Sequence, residues 1–152
     1  MADPFVTELA PGLTVLRADN AGPMTLDGTC SYLVGSNRLV LIDPGSGDRG
    51  HLSRIHGVVR GRSIAAVLLT HSHSDHAELA GEASRVFGAP VLGSRETLRR
   101  AGLEGGALAD GDQVSPGADI ALIALATPGH SSDHMTFLSE EDRWLFTGDL
   151  VL

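Results

Sequence analysis

The chain has 152 residues, enough for one domain; 42% of them are hydrophobic and 20% are charged. This composition excludes a disordered chain, and the longest apolar runs fall well short of the roughly 20 residues that cross a bilayer. The formal net charge of −8, from 11 basic and 19 acidic residues, excludes a general polyanion-binding surface. Any contact with nucleic acid would therefore be local.

The amino-terminal part is predicted to begin with short strands. Four apolar stretches have strand length, at residues 5–9, 13–18, 31–35 and 38–42. The segment Asp43-Pro44-Gly45 must end the fourth strand, because proline has no backbone N–H to donate. Residues 48–60 then place Leu52, Ile55 and Val59 three and four positions apart. This spacing predicts an amphipathic helix.

The remaining elements are predicted to alternate between strands and helices. Residues 64–69 form a continuous apolar run, typical of a strand buried on both faces. After Asp75, one helix is predicted with its apolar side formed by Leu79, Ala83, Val86 and Phe87. Shorter segments predict a helix at residues 94–100 and strands at residues 90–92, 119–126, 135–139 and 143–146. Strands outnumber helices, which indicates a mixed α/β layered domain.

One segment carries an unusual density of possible metal ligands. Residues 70–76 read Thr-His-Ser-His-Ser-Asp-His, between a buried strand and a helix start. They supply four ligand-capable groups, His71, His73, Asp75 and His76, of types that suit Zn²⁺, Mn²⁺ or Fe²⁺. The alternative is a polar segment that caps a helix, for which Asp75 alone would suffice. Chance gives this pattern in roughly one of a thousand chains of this composition, which favours the metal interpretation.

Two further segments end strands with possible ligands. His130 follows Pro128 and Gly129, which force a sharp turn and let the histidine approach a site closely. Asp149 follows Gly148 at the end of another strand. A lone carboxylate after glycine is usually a turn residue. It would be a metal ligand only if the three loops converge.

In this order and spacing, the H-x-H-x-D-H, TPGH and TGD motifs resemble those of the metallo-β-lactamase-fold hydrolases over nearly all of the chain. Residues 129–135 and 146–152 are most similar to the β-lactamase-like protein 2 branch, whose animal members act as endoribonucleases. The glyoxalase II-like thioester hydrolases are near neighbours. The resemblance implies an α/β (α+β) fold, a four-layer αββα sandwich of two similar halves. Residues 1–152 would form one such domain, with the second half truncated.

The resemblance also implies roles for individual residues. His71, His73 and His130 would hold a first metal, Asp75 and His76 would belong to a second, and Asp149 would bridge both. Zn²⁺ is the expected ion, two per complete domain, with Mn²⁺ or Fe²⁺ as alternatives. The family pattern adds one more histidine beyond the TGD motif, where this chain has no residue.

Four other polar residues lie outside this set of six. Asp43 would either orient a metal ligand or cap its own turn. His51 and His56 are expected on or near the polar side of a surface helix. His134 begins a strand, at a position where the family uses no ligand.

These residues predict a metal-dependent hydrolase. A metal-activated hydroxide would attack an ester, thioester, lactone or phosphodiester, and Asp75 would orient it and move its proton. Whether the substrate is a small molecule or a nucleic acid stays open, so an endoribonuclease-type activity remains within this class. A second alternative is a mono-iron persulfide-type dioxygenase of the same fold, which uses two histidines and one aspartate.

A third alternative is a catalytically weak metal-binding fragment, which could form a homodimer through an uncovered apolar sheet face. The domain is expected to lack its carboxyl-terminal part, and the longer parent to be the active enzyme. The single cysteine, Cys30, excludes an internal disulfide framework and predicts a reducing, cytoplasmic location. No membrane association is expected.

Overall fold

The computed structural model describes residues 3–117 and 120–151. The strands in these ranges are β1 (Val6–Ala10), β2 (Leu13–Arg17), β3 (Cys30–Val34), β4 (Arg38–Ile42), β5 (Ser63–Leu68), β6 (Val91–Ser94), β7 (Gly106–Leu108), β8 (Gln113–Gly117), β9 (Ile120–Ala126), β10 (Met135–Ser139) and β11 (Trp144–Phe146). The helices are α1 (Arg49–Val59), α2 (Ser74–Ala77), α3 (Ala80–Phe87) and α4 (Arg95–Ala101), and a 3₁₀ turn covers Gly148–Leu150.

The described strands form two sheets. The larger has seven strands in the order β1 to β7, antiparallel from β1 to β4 and parallel from β4 to β7. The smaller has four antiparallel strands in the order β11-β10-β9-β8. The helices follow β4, β5 and β6, as crossover connections between parallel strands require.

Strand β4 shows how the two cores are built. Leu39 and Leu41 belong to the cluster that packs against helices α1 and α3, whereas Val40 and Ile42 belong to the cluster between the two sheets. Successive side chains of a strand point to opposite faces, so both faces of β4 are buried. This explains why its sequence is apolar without alternation, and it gives the layer order helix, sheet, sheet.

Two short strands were not predicted from sequence. Strands β7 and β8 lie at the edges of their sheets, and their sequences lack the alternation of apolar and polar residues that predicts a strand. The predicted strand at residues 119–126 is confirmed from Ile120 onward, and Asp119 lies outside the described residues.

The amphipathic helix predicted after Asp75 is confirmed over Ala80–Phe87, but it is not continuous from Asp75, because the structure divides this stretch into α2 and α3. The backbone N–H of Leu79 donates to Gly45 O at 3.0 Å, and Gly45 N donates to His76 O at 3.0 Å. These bonds to the loop after β4 replace the continuation of α2. Val86, expected on the buried side, is 50% exposed.

The outer face of the smaller sheet is also apolar. Ile123, Leu125 and Leu138 are partly exposed there, and Leu145 is 52% exposed. This is the face at which the predicted homodimer would form. None of the helices in residues 3–117 and 120–151 is long and apolar enough to cross a membrane.

Phe137 is fully buried between the sheets, so its replacement tests the packing of the two layers. We expect Phe137→Ala to lower the free energy of unfolding by about 3–5 kcal/mol, because it leaves a cavity in a packed core. Urea denaturation measures the change. Leu145→Ala on the outer face of the same hairpin is the control, and an equal loss in both variants would contradict the layer assignment.

Candidate metal centre

Four loops that follow strand ends meet at one edge of the two sheets. They carry, in chain order, Asp43 after β4, residues 70–76 after β5, His130 after β9 and Asp149 after β11. Strands β4 and β5 are parallel, so their carboxyl ends lie at the same edge, where α/β sheets bind ligands. The backbone N–H of Met135 donates to Thr70 O at 2.7 Å and so joins the second sheet to this edge.

His71, His73 and His130 form one group of possible metal ligands. One ring nitrogen from each lies within 4.8 Å of the others, and His130 Nε2 is 3.0 Å from His73 Nδ1. His71 is buried, whereas the other two rings are exposed to solvent. Ligand nitrogens on a tetrahedral Zn²⁺ lie about 3.3 Å apart, so these atoms are spaced to share one ion.

A hydrogen-bond chain determines which nitrogen of His71 is available. Thr70 Oγ1 donates to Asp43 Oδ2 at 2.6 Å, since an ionised carboxylate can only accept. The hydroxyl proton is thereby used, so His71 Nδ1–H donates to Thr70 Oγ1 at 2.9 Å. His71 Nε2 is left unprotonated. It is buried with no hydrogen-bond partner among the described residues, which is the environment of a nitrogen that binds a metal.

His76 and Asp149 form a second group together with His71. His76 Nδ1 donates to Asp43 Oδ2 at 2.8 Å, which turns its Nε2 toward Asp149 Oδ1 at 3.1 Å. The other oxygen of Asp149, Oδ2, lies 3.5 Å from His130 Nε2. The Asp149 carboxylate therefore faces His76 of its own group with one oxygen and His130 of the first group with the other.

Asp75 adjoins the second group through His76. Its Oδ2 lies 3.5 Å from His76 Nε2 and accepts a hydrogen bond from Thr29 Oγ1 at 3.2 Å. Its side chain is partly exposed to the cleft beside the site. The structure thus brings the six predicted residues into one cluster, and their individual roles stay predictions.

The charges of the cluster suit a cation. Burial, and next the charge of His76, lower the pKa of His71 to about 4, so this ring is neutral at pH 7. Burial also disfavours a charged His76, but the carboxylates of Asp43 and Asp149 outweigh it and raise the pKa of His76 to about 10. The hydrogen bond from His76 in turn lowers the pKa of Asp149 to about 2. The protonated His76 therefore supplies the positive charge that balances these carboxylates, and a bound metal would supply that charge in its stead.

These observations fit a divalent metal. The unpartnered His71 Nε2, the three converging imidazoles and the carboxylate between the two groups are the donor types that Zn²⁺, Mn²⁺ and Fe²⁺ accept. His71, His73 and His130 would hold one ion. His76, Asp149 and Asp75 supply donors for a second.

A cleft of about 350 Å³ opens beside the second group. Asp75, His76 and Asp149 line one wall. The loop between β2 and β3 lines the other and contributes Met24, which is 89% exposed, and Leu26. Its size is within the range of small-molecule sites, and its position gives a substrate access to the cluster.

One residue that was predicted on the surface, His51, supports the site. His51 is fully buried, so its prediction as a surface residue is wrong. Its Nε2 is 2.8 Å from Ser31 Oγ, which donates to Asp43 O. The spacing contained this signal, since His51 is four residues before Ile55 and shares its helix face. His56 is exposed, as predicted.

Two other residues, the buried His134 and the half-buried Gly148, adjoin the cluster. The ring of His134 packs against the ring of His71, with centroids 5.0 Å apart. Gly148 has a φ of +50°, and a Cβ there would meet Thr70 Oγ1 at 2.6 Å and His134 Nε2 at 2.8 Å. Only glycine lets the chain pass this point and present Asp149 to the site.

We expect Gly148→Ala to displace Asp149 and to weaken the binding of the second of two Zn²⁺ ions at least tenfold, measured by calorimetric titration. Gly88→Ala is the matched control, because Gly88 also has a positive φ (+63°) but a Cβ there meets nothing within 4 Å. It shares the backbone cost of about 1 kcal/mol without the clash. Unchanged binding of both ions by Gly148→Ala would contradict the assignment.

The burial of His51 predicts how the free energy of unfolding depends on pH. Burial lowers its pKa to about 4, while an unfolded histidine titrates near 6.5. Between these values the unfolded chain binds the extra proton, so stability is lost as the pH falls. From pH 7 to pH 5 the wild type should lose about 2 kcal/mol more unfolding free energy than His51→Gln, measured in urea. His56→Gln, on the exposed side of the same helix, should behave like the wild type, and equal losses in all three would contradict the prediction.

Comparison with known sequences shows similarity to fungal proteins. The chain is 41% identical to the lactamase-like protein aptB of Emericella nidulans, over 98% of this chain and 48% of that protein. It is 34% identical to an atrochrysone carboxyl ACP thioesterase of Pseudocercospora fijiensis, over 98% of this chain and 45% of that protein. The chain therefore spans about half the length of the curated relatives that it matches.

Solved structures confirm the fold. The structure of ETHE1 from Myxococcus xanthus is 31% identical, with a TM-score of 0.70 over 82% of this chain and 53% of that one. A metallo-beta-lactamase family protein from Thermus thermophilus is 26% identical, with a TM-score of 0.77 over 95% and 61% of the two chains. Similarity to the β-lactamase-like protein 2 branch stays a prediction. The profile of the metallo-beta-lactamase superfamily matches residues 24–152, and the chain belongs to this superfamily.

Proposed function

We propose that this chain is the metal-binding part of a hydrolase that cleaves thioesters. The observation that carries the proposal is the group formed by His71, His73 and His130, which includes the unpartnered His71 Nε2. The cleft that a substrate would enter opens beside the adjoining second group. The names of two relatives, both atrochrysone carboxyl ACP thioesterases and 34% and 36% identical, favour a thioester among the possible substrates. We extend the proposal to a thioester on an acyl carrier protein.

Zn²⁺ is the ion that we propose, held by His71, His73 and His130, with a second held by His76, Asp75 and Asp149. When bound, such ions polarise a carbonyl oxygen and bring the pKa of water toward neutrality. Mn²⁺ and Fe²⁺ suit the same donors and remain alternatives.

The residues of the chain would divide the remaining work. Asp43 accepts hydrogen bonds from His76 Nδ1 and from Thr70 Oγ1, and Thr70 Oγ1 in turn accepts one from His71 Nδ1. These bonds hold His71 and His76 with their Nε2 atoms toward the site. Asp75, oriented by Thr29 Oγ1, would accept a proton from the attacking water and deliver it to the leaving thiolate. The acyl group would occupy the cleft, with its apolar part against Met24 and Leu26.

The test is hydrolysis of a pantetheine thioester by the purified chain, followed through the released thiol. We expect weak turnover by this chain, which a chelator removes and Zn²⁺ restores. Asp75→Asn should lower kcat about 10²–10⁴-fold, because it removes the proton acceptor. The ion held by His71, His73 and His130 should stay bound, because Asp75 is not in that group. Asp27→Asn is the control, since Asp27 lines the same cleft outside the metal groups, and it should change kcat less than threefold.

Other outcomes would overturn the proposal in favour of a stated alternative. One bound iron with consumption of oxygen would indicate the mono-iron dioxygenase. Cleavage of a short single-stranded RNA without thioester turnover would indicate the endoribonuclease. Bound metal without either activity would indicate a catalytically weak metal-binding fragment. A cytoplasmic location, supported by the single cysteine, and a homodimer stay predictions.

A further inference from the structure

Asp133 is a buried carboxylate that belongs to neither group of possible metal ligands. Its side chain has no exposed surface, although it lies only three residues after His130. Four groups donate hydrogen bonds to it: Ser131 Oγ at 2.6 Å, Ser72 N at 2.9 Å, Thr97 Oγ1 at 2.9 Å and Arg100 Nη1 at 3.1 Å.

These four donors come from three separate parts of the fold. Ser72 lies between His71 and His73 in the first histidine loop (residues 70–73), and Ser131 follows His130 in the second histidine loop (residues 127–134). Thr97 and Arg100 belong to helix α4. One carboxylate therefore joins both histidine loops to a helix.

The connection that Asp133 makes differs from the backbone bonds of the same region. Bonds such as Thr127 N to His134 O, 3.0 Å, close the second histidine loop on itself. The bond from Met135 N to Thr70 O joins the first histidine loop to strand β10, just before His71. The bond from Ser72 N to Asp133 Oδ2 joins the two histidine loops directly, between His71 and His73.

The charge of Asp133 strengthens this connection. Burial disfavours the ionised form, but the hydrogen bonds from Ser131, Ser72 and Thr97 outweigh it and hold the pKa of Asp133 below its usual range. The carboxylate is therefore ionised at neutral pH, and the guanidinium of Arg100 compensates it at 3.1 Å. Hydrogen bonds to an ionised acceptor are about twice as strong as neutral ones. Both oxygens of Asp133 accept hydrogen bonds, so the carboxylate affects the site by holding the two histidine loops and not by binding a metal itself.

We infer that Asp133 is a positioning residue that sets the spacing between the first and second histidine loops, and so prepares the His71, His73 and His130 nitrogens to receive one metal ion. The inference rests on the metal centre of the proposed function. It adds a role for helix α4, which holds Asp133 through Thr97 and Arg100 although no residue of α4 is in either group of possible ligands.

The test measures metal binding directly, with Co²⁺ as a visible probe. Asp133→Asn keeps the shape of the side chain but removes the charge and places an amide donor against groups that donate. We expect its affinity for the first Co²⁺ to fall about 10–100-fold, the usual effect of removing a partner that orients ligands, and its visible absorption band to shift. Circular dichroism checks that the variant is folded.

Glu96→Gln is the matched control. Glu96 accepts from the same Arg100 at 2.8 Å and belongs to the same helix, but its hydrogen bonds go to arginines of α4 and not to the histidine loops. This variant should bind Co²⁺ with the affinity and spectrum of the wild type. A tenfold loss in Glu96→Gln as well would overturn the inference, because it would show a general effect of disturbing the helix.

Thr97→Val is a second, milder variant in case Asp133→Asn does not fold. It removes one hydroxyl donor from Asp133 at a fully buried position and should weaken Co²⁺ binding severalfold. Wild-type affinity and spectrum in the folded Asp133 variant, or in Thr97→Val if it alone folds, would overturn the positioning role. A wild-type chain that binds no Co²⁺ would overturn the metal centre itself, so the two failures are distinguishable.

Discussion

The site depends on one buried carboxylate, that of Asp43. It accepts three hydrogen bonds of 2.6 to 2.8 Å, from the backbone N–H and the hydroxyl of Thr70 and from the ring of His76. Through Thr70 it also determines the protonated nitrogen of His71. Without these bonds either ring could turn, or carry its proton on the nitrogen that faces the site. Asp43 has a φ of +49°, an uncommon conformation that aspartate tolerates better than most residues.

The fold explains why Asp43 can reach two histidines at once. Strands β4 and β5 are parallel neighbours, so Asp43 and Thr70 follow their carboxyl ends side by side. Helix α2 then begins directly after the first histidine loop and returns His76 to the same carboxylate. From the other sheet, β9 and β11 end at the same edge and supply His130 and Asp149. Each sheet thus provides part of a cluster that neither could form alone.

Much of this arrangement was predictable from sequence, and the reason is periodicity. The apolar runs of β4 and β5 and the helical spacing of Leu52, Ile55 and Val59 give local signals that the structure confirms. The motif with His71 and His73 gives a strong signal because its ligand types are rare and closely spaced. Strands β7 and β8 were missed, since short edge strands offer too few positions for an alternating apolar pattern.

The supporting network was less accessible to sequence reasoning. The bond from Ser72 to Asp133 spans 61 positions, and the bond from Thr70 to Asp43 spans 27, so neither has a local pattern. The interruption between α2 and α3 has the same cause, because Leu79 bonds to Gly45 and not along its own helix. His51 was misplaced although its helix position was informative, since a polar residue was assigned to the polar face.

The most direct test of this account is a crystal structure of the chain grown with Zn²⁺, with the metal located by anomalous scattering. The account predicts an ion bonded to His71 Nε2, His73 Nδ1 and His130 Nε2 at about 2.0–2.1 Å, with His71 Nδ1 still hydrogen-bonded to Thr70. An ion bonded elsewhere, or a His71 ring turned so that Nδ1 faces the site, would contradict it.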